Sequence, residues 1–598
     1  MTSDPPTTVI TLQEVVKRFT AGQRTVTALD ALSATIEGGR ITGLVGPDGA
    51  GKTTLIRLLT GLLRPDLGRI EVLGFDAATE AQRIQSGVGY MPQRFGLYEE
   101  LSVAENLDLY ADLQGLVGPT RKDRLGQLAE FTGLGPFRSR LAGRLSGGMK
   151  QKLGLACTLV RPPSLLLLDE PSVGVDPVSR RELWDIVHAL VAEGMSVLWA
   201  TAYLDEAERC DDVLLLNEGR LLAAGPPQSF TEGLEGRTFA VRVDSVERRR
   251  VLPEVLELPH VIDAIIKGRD VRVLLSQQAD GSDFLQAAAR LNDGRAEVEA
   301  VDPVFEDAFI ALLKEPAEGQ LKPTDATPAA ASSAGGDVSA KDGEQPAEVV
   351  IKVSHLIRRF GDFTAVDGID FTVNRGEIFG LLGPNGAGKS TTFKMLCGLI
   401  PPSDGEALVL GIDLRRAAAV ARSRVGYMAQ KFSLYGNMSV LQNLRFFASA
   451  YGLDKRAQAR TIGAELSEFG LDPFVDAISE TLPLGYKQRL ALACAIMHEP
   501  GVLFLDEPTS GVDPLVRREF WSRINAMAAM GVTVLVTTHF MEEAEYCDRI
   551  GIIYQGRLVA TGTPEALRKE ESSAELPEPT LEDAFIALIE RHDGAARP

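Results

Sequence analysis

Two nearly identical stretches recur in the chain: GPDGAGKTT at residues 46–54 and GPNGAGKST at residues 383–391. Each follows a short apolar run, ITGLV at 41–45 and IFGLL at 378–382, and each opens a helical pattern. A glycine-rich loop between a buried strand and a helix lets backbone N–H groups converge on phosphate oxygens at the helix N-terminus. The sequence therefore predicts two phosphate-binding loops.

The two loops belong to a long internal repeat. The offset between Lys52 and Lys389 is 337 residues (389 − 52), and the same offset pairs Cys157 with Cys494. A constant offset over much of each half indicates two copies of one domain with few insertions. We predict an α/β fold with two P-loop NTPase domains in tandem, at 8–236 and 348–572, each with a helical subdomain.

The remaining segments differ between the halves. The segment 237–314 carries FEDAFIALL and the segment 573–598 carries LEDAFIALI, which we predict to be helices. Extra sequence in 237–314 predicts a small α+β domain, with strands TFAVRV and DVRVLLS and helices PEVLELPHVIDAI and DFLQAAARLN. The segment 315–347 has no aromatic residue and little that could be buried, which is typical of a flexible, disordered linker.

Composition narrows the function classes. The 598 residues are 45% hydrophobic, which excludes wholesale disorder, and the net charge of −20 argues against nucleic acid as a partner. No uninterrupted apolar run reaches the ~18 residues that a spanning helix needs, and the N-terminus lacks a signal pattern. The five cysteines form no closely spaced pairs. We expect a cytoplasmic chain without a membrane span of its own.

Paired carboxylates follow an apolar strand in each half, in LLLLDEP at 165–171 and LFLDEP at 503–508. Such strands of an α/β sheet end where active sites lie. We expect Asp169 and Asp506 to hold Mg²⁺ together with Thr53 and Ser390, and Glu170 and Glu507 to act as general bases toward water. The predicted phosphate ligands are Gly46, Gly49, Gly51, Lys52, Thr53, Thr54, Gly383, Gly386, Gly388, Lys389, Ser390 and Thr391.

With LSGGMKQK at 145–152, GYMPQ at 89–93 and SVGVDP at 172–177, the ordered motif set resembles the nucleotide-binding domain of ATP-binding cassette (ABC) proteins. The resemblance covers most of the chain. It implies ATPase activity with ATP and Mg²⁺, in a head-to-tail sandwich that places each phosphate loop against the other domain's signature. The residues that it adds are Ser146, Gly147, Gly148, Asp176 and Asp513 for ATP, Phe19 and Phe360 for adenine, Gln93 and Gln430 for the metal, and His539 for the γ-phosphate.

Two departures from this pattern affect the same predicted site. His539 of the second half is replaced by Ala202 in the first, and LSGG becomes LPLG at 482–485. Pro483 offers neither hydroxyl nor N–H, and Leu484 crowds a surface where backbone must approach phosphate. In a head-to-tail pair both defects belong to the site built on Lys52. We therefore expect one competent site, built on the second phosphate loop with the first signature, and one degenerate site.

Three functions compete. EDAFIAL, LYGNMSVLQNL and TAYLDEAE resemble the ATPases of bacterial ABC-2 type exporters, which implies efflux of drugs or cations. That resemblance also implies two separately encoded permease partners and a peripheral location on the cytoplasmic face of the inner (plasma) membrane. The alternatives are a tandem ATPase acting on ribosomes and a scaffold that binds ATP without turnover. An acidic linker disfavours the first alternative, and the complete second site disfavours the second.

Overall fold

The computed structural model describes residues 8–21, 24–93, 96–118, 120–244, 247–315, 348–430, 434–572 and 576–596. These form two compact units. Of these described residues, the first unit takes those within Met1–Thr238, Val301–Leu312 and Gly511–Leu515, and the second takes those within Phe239–Ala300, Leu313–Ser510 and Val516–Pro598. The predicted linker lies, except for Glu315, outside the described residues.

Two sheets form the first repeat. The antiparallel sheet has the order β2-β1-β4-β5, and the six-stranded sheet, parallel except for the β10-β9 pair, has the order β10-β9-β3-β8-β7-β6. Strand β3 is buried at all five residues and pairs in parallel with β8 and β9. The strands are β1 (Thr8–Ala21), β2 (Arg24–Glu37), β3 (Ile41–Val45), β4 (Leu67–Val72), β5 (Phe75–Asp76), β6 (Val88–Met91), β7 (Leu165–Asp169), β8 (Ser196–Thr201), β9 (Asp212–Asn217) and β10 (Arg220–Gly225).

Helices of the first repeat connect these strands. A capping box is present at Ser102, whose side chain accepts from Glu105 N while the Glu105 carboxylate accepts from Ser102 N. This box fixes the start of the helix that opens the helical subdomain. The helices are α1 (Lys52–Leu59), α2 (Ala81–Gly87), α3 (Val103–Leu113), α4 (Thr120–Phe131), α5 (Gly147–Thr158), α6 (Pro177–Ala192), α7 (Leu204–Ala207) and α8 (Pro227–Thr231).

Residues 239–300, here called the accessory module, form most of a third sheet with its own apolar core. The strands β11 (Thr238–Arg242), β12 (Val261–Lys267), β13 (Asp270–Leu275) and β14 (Glu297–Ala300) have the order β12-β13-β11-β14. The helices are α9 (Arg248–Leu256), α10 (Gly281–Ala288) and α11 (Leu291–Gly294). The predicted helix over 253–265 is wrong in its second half. That half is strand β12, because Pro259 interrupts the helix and its branched residues pair with β13.

The second repeat reproduces the first. Its sheets have the orders β16-β15-β18-β19 and β20-β21-β22-β17-β23-β24. The strands are β15 (Val349–Phe360), β16 (Phe363–Asn374), β17 (Ile378–Leu382), β18 (Asp404–Val409), β19 (Ile412–Asp413), β20 (Val425–Met428), β21 (Val502–Asp506), β22 (Thr533–Thr538), β23 (Arg549–Tyr554) and β24 (Arg557–Gly562).

Both EDAFIAL segments are helices, as predicted. Phe305 of the first one, α12 (Phe305–Lys314), is buried and packs on Phe230, with ring centroids 5.1 Å apart. The helices of the second repeat are α13 (Lys389–Leu396), α14 (Leu414–Arg422), α15 (Val440–Ala450), α16 (Lys455–Glu468), α17 (Leu484–Ile496), α18 (Pro514–Ala529), α19 (Met541–Ala544), α20 (Pro564–Glu570) and α21 (Leu581–Ala596). Among the described residues, no helix combines the length and apolarity that crossing a bilayer requires.

The buried carboxyl of Glu465 makes the stability of the protein depend on pH. Burial, with a smaller contribution from Glu468, raises the pKa of Glu465 in α16 to about 8. The same position in the first repeat holds the buried Leu128, so an uncharged side chain suits it. The pKa of Glu465 is higher in the folded chain than in the unfolded chain, so ionisation of this carboxyl disfavours folding. This cost to the free energy of unfolding is absent below about pH 4.5 and grows until about pH 8.

Glu465→Gln should therefore stabilise the protein at pH 8 by about 2 kcal/mol or more, and the gain should fade toward pH 4.5. Urea unfolding at the two pH values measures this. Glu468→Gln, at an exposed position of the same helix, serves as the control and should change the free energy of unfolding little. A gain that is equal at both pH values would contradict the assignment.

Candidate active sites

The first phosphate loop joins β3 to α1. Gly49 and Gly51 have φ of 82° and 103°, a conformation that side-chain-bearing residues rarely adopt. A Cβ on Gly46 would lie 2.2 Å from the Leu216 carbonyl oxygen, so only glycine fits there. The Lys52 ammonium donates to the carbonyl oxygens of Gly46 (2.6 Å) and Pro47 (3.1 Å). The loop thus holds a buried cation at a helix N-terminus, as phosphate binding requires.

The second phosphate loop joins β17 to α13 with the same geometry. Gly386 and Gly388 have φ of 84° and 109°. The Lys389 ammonium donates to the carbonyl oxygens of Gly383 (2.5 Å) and Pro384 (3.1 Å). The two predicted loops are therefore equivalent in backbone and lysine placement.

At the carboxyl ends of β7 and β21, each half places its aspartate beside the loop hydroxyl. Thr53 Oγ1 donates to Asp169 Oδ1 at 3.1 Å, and Ser390 Oγ donates to Asp506 Oδ1 at 3.4 Å. Burial raises the pKa of both aspartates, and its effect outweighs the opposing charges of the nearby Lys52 and Lys389. The structure thus brings together each predicted pair of hydroxyl and carboxylate.

The following glutamates hold the left-handed backbone conformation, with φ of 52° at Glu170 and 48° at Glu507. This conformation is strained for a residue with a side chain and is typical of functional positions. Gln93 Nε2 donates to Glu170 Oε2, and Gln430 Nε2 donates to Glu507 Oε2 at 2.7 Å. Each predicted glutamine therefore contacts the carboxylate that we expect to activate water.

The two sites differ at the predicted histidine. His539 is buried, and its Nδ1 lies 3.4 Å from Glu507 Oε1. Burial alone acts to raise the pKa of Glu507, but the nearby His539, with Lys389 and Gln430, brings it below its usual value. In the first half Ala202 stands at this position, and Glu170 Oε1 instead lies 3.6 Å from the Lys52 ammonium.

The signatures differ as the sequence predicts. Ser146 caps α5, and its side chain accepts from Met149 N at 3.3 Å. Pro483 stands at the start of α17 and makes no side-chain cap bond. A Cβ on Gly148 would lie 2.3 Å from Ser179, so this glycine permits close packing of α5 on α6. The second signature thus loses a polar side chain and a backbone donor at a helix N-terminus.

The remaining predicted residues lie near the ends of strands and helices. Phe19 and Phe360 are large exposed rings at the ends of β1 and β15, and each carries a cation above it, Lys17 at 5.6 Å and Arg358 at 4.5 Å. Asp176 is the N-cap of α6 and accepts from Ser179 N at 3.1 Å. Asp513 accepts from Leu515 N at 3.1 Å. Exposed aromatic rings of this kind can stack on a base.

One further asymmetry was missed in the sequence. Thr537 Oγ1 donates to Asp506 Oδ1, and Glu507 N bonds to both the carbonyl oxygen and the hydroxyl of Thr537. The repeat offset places Ala200 at the corresponding position of the first half. Glu170 N there donates only to the Ala200 carbonyl oxygen. Aligning the halves residue by residue would have found this difference.

The residues present fit a nucleotide and its metal. Within the described part of the chain, Asp169 Oδ2 is buried without a hydrogen-bond partner, and so is His539 Nε2. A carboxylate oxygen beside a hydroxyl is a ligand set that Mg²⁺ prefers, and a free imidazole nitrogen suits a phosphate oxygen. The glycine loops leave room for phosphate close to the backbone.

Two P-loop domains of this kind, each with paired carboxylates at the end of a strand of the same sheet and with a signature helix, define a tandem ATP-binding ATPase. The family model described as "ABC transporter" matches residues 29–173 and 366–510. The chain belongs to this family, and the predicted fold class is confirmed. It is an ABC-type ATPase.

Several proteins are similar to the chain. The "Probable multidrug ABC transporter ATP-binding protein YbhF" of Escherichia coli (strain K12) is 55% identical over 587 residues, covering 98% of both chains. The "Nod factor export ATP-binding protein I" of Paraburkholderia xenovorans (strain LB400) is 42% identical over 41% of this chain and 83% of the relative. A solved structure of an ATP-binding subunit of an ABC transporter is 31% identical, covers 40% of this chain and 99% of that one, and has a TM-score of 0.37.

Proposed function

We propose that the chain is the ATP-hydrolysing subunit of a membrane exporter of the ABC-2 type that removes drugs or cations. The observation that carries this proposal is the 55% identity over 98% of the chain to a protein described as a probable multidrug ABC transporter ATP-binding protein. A second relative is named for Nod factor export. The partners are then two separately encoded permease subunits at the cytoplasmic face of the inner membrane.

Hydrolysis is assigned to two ATP sites formed head to tail between the repeats. Each phosphate loop binds the phosphates of one ATP, and Phe19 or Phe360 stacks on its adenine. Mg²⁺ fits beside Thr53, Gln93 and Asp169 in one site and beside Ser390, Gln430 and Asp506 in the other. When bound, the metal neutralises charge that develops on the phosphates.

The second phosphate loop forms the competent site. The Glu507 carboxylate, kept ionised by its neighbours, accepts the proton of the attacking water. His539 orients this carboxylate through Nδ1 and presents Nε2 to the γ-phosphate. Ser146, Gly147 and Gly148 of the first signature complete this site with donors at the start of α5.

The first phosphate loop forms the degenerate site. Ala202 stands in place of the histidine, and Pro483 and Leu484 replace the donors of the signature. Lys52 and the phosphate loop remain, so ATP still binds there. Turnover at this site is slow because both the base-orienting group and the transition-state donors are missing.

Exposed aromatic side chains support a permease contact. Phe446 on α15 is 40% exposed and packs edge-on against Tyr435, which is 43% exposed, at 4.6 Å between ring centroids. In the first repeat Tyr98 is 53% exposed next to α3. Solvent-facing rings on a helical subdomain are typical anchors for a partner protein.

To test the partner, the tagged chain is purified with ATP from membranes solubilised in mild detergent, and co-purifying proteins are identified. Two multi-span proteins are expected, and their yield should fall at least about tenfold for Phe446→Glu, since a charge would be buried at an apolar contact. Met530→Glu, at a position 77% exposed after α18, is the matched control and should retain both. Recovery of ribosomes would contradict the exporter assignment, whereas equal recovery of the multi-span proteins with both variants would contradict a contact at Phe446.

A further inference from the structure

The accessory module packs in the same unit as the second repeat, although it follows the first repeat in sequence. A row of arginines joins the two. Arg248 and Arg249 of α9 both bind Asp548, Arg249 at 2.6 Å, and Arg518 of α18 binds Asp263 of β12. Arg248 and Arg518 are at most 9% exposed. These are desolvated ion pairs, in which losing one partner leaves a buried charge uncompensated.

Asp548 connects this contact to the phosphate loop. Its Oδ2 accepts from Arg249 and also, at 2.8 Å, from the backbone N–H of Ile378. Ile378 is the first residue of β17, the strand that enters the second phosphate loop. Arg249 further donates to the carbonyl oxygen of Gly376, at 3.2 Å, two residues before that strand. The module therefore holds the beginning of β17 from outside the repeat.

A second contact reaches the segment that follows His539. Gly268 N, in the turn between β12 and β13, donates to the Glu545 carbonyl oxygen at 2.7 Å, directly after α19. The Lys267 ammonium lies 3.4 Å from the carboxylate of the same Glu545. Helix α19 has four residues and starts two positions after His539, so a displacement of its end moves the histidine.

The third contact runs through α18. Arg518 faces Asp263 of the module, and the adjacent Arg517 binds Glu542 of α19 at 2.6 Å. Arg517 also lies over the ring of Phe540, 5.5 Å from its centroid, next to His539. Arg249 donates to Asn525 of the same helix at 3.1 Å. The module thus touches three elements, and each leads to a group of the second site.

We infer that the accessory module is a clamp on the second repeat, and that Arg249 and Asp263 are positioning residues for hydrolysis at Glu507 and His539. This inference rests on the proposed assignment of hydrolysis to the second phosphate loop. Displacements well below 1 Å matter there, because a misplacement of about 1 Å costs about 100-fold in rate. Burial also lowers the pKa of Arg249 to about 10, which is consistent with a dry contact.

The test uses the full chain in a Glu170→Gln background, so that turnover reports the second site. Arg249→Ala should lower kcat for ATP about tenfold with less than a twofold change in KM, because the phosphate loop itself is intact and His539 is displaced. Arg249→Lys, which keeps the charge, should recover part of kcat. Arg242→Ala removes an arginine from a pair inside the module (Arg242 to Asp270, 3.0 Å) and should leave kcat unchanged.

Exchanging the charges of Asp263 and Arg518 tests the clamp even if Arg249→Ala folds poorly. Asp263→Arg and Arg518→Asp should each lower kcat, and the double variant should be at least about threefold faster than either, with thermal unfolding measured in parallel. A kcat within twofold of the parent in the folded single variants, or a double variant no faster than its parents, would overturn the clamp. A Glu170→Gln parent without ATPase activity would overturn the competent second site instead, and the clamp with it.

Discussion

Glu507→Gln is expected to lower the steady-state ATPase rate of the chain at least about 100-fold, whereas Glu170→Gln should lower it less than about threefold. A general base contributes about 10²- to 10⁴-fold, and only Glu507 has the buried histidine at 3.4 Å and the second bond from its backbone N–H to Thr537. The amide in either variant keeps the size of the side chain and can still contact the glutamine.

Phosphate release under saturating MgATP measures both rates. Binding of a fluorescent ATP analogue is the control and should change less than about threefold in either variant, because the phosphate loops are untouched. Equal losses in the two variants would contradict the assignment of hydrolysis to one site.

Exchanging the signatures should show which half completes the competent site. Ser146→Pro with Gly147→Leu places the second repeat's signature in the first repeat and should lower the rate about 10²- to 10³-fold, the cost of losing a transition-state donor. The two substituted residues lie in the first repeat, whereas the hydrolysis that is lost depends on Glu507 in the second repeat. This result is expected only if the repeats pair head to tail.

The reverse exchange is the matched control. Pro483→Ser with Leu484→Gly restores the signature that faces the degenerate site, and the rate should rise no more than about twofold because Ala202 remains. Circular dichroism should be unchanged in both double variants, since loss of one helix cap lowers the free energy of unfolding by only about 1 kcal/mol. A large loss with the reverse exchange would contradict the pairing.

Much of the site could be predicted because its chemistry is local. Lys52 lies in a contiguous loop, and Glu170 follows a contiguous apolar strand, so spacing alone indicates their neighbourhood. The capping box at Ser102 is likewise contained in four residues. Because the chain contains the domain twice, each motif can be compared between the two halves. This comparison shows that Ala202 occupies the position of His539.

The rest depends on partners far apart in the chain. Arg248 and Asp548 are separated by 300 residues, and a run of three arginines ordinarily indicates a solvated surface. The sequence pattern predicts a helix where strand β12 lies, because its apolar residues fit either period over so short a run. Its pairing with β13 makes it a strand. Burial and pairing of this kind come from tertiary structure, which local patterns do not contain.

Vanadate trapping with a radioactive photoreactive ATP analogue shows which of the two sites hydrolyses ATP. A protease site inserted between residues 316 and 347 would separate the two halves after labelling. Since vanadate traps nucleotide only where hydrolysis occurs, we expect label on the second-half fragment, beside Phe360 and Lys389, and its loss in Glu507→Gln. Equal label on both fragments, or label chiefly on the fragment with Lys52, would contradict it.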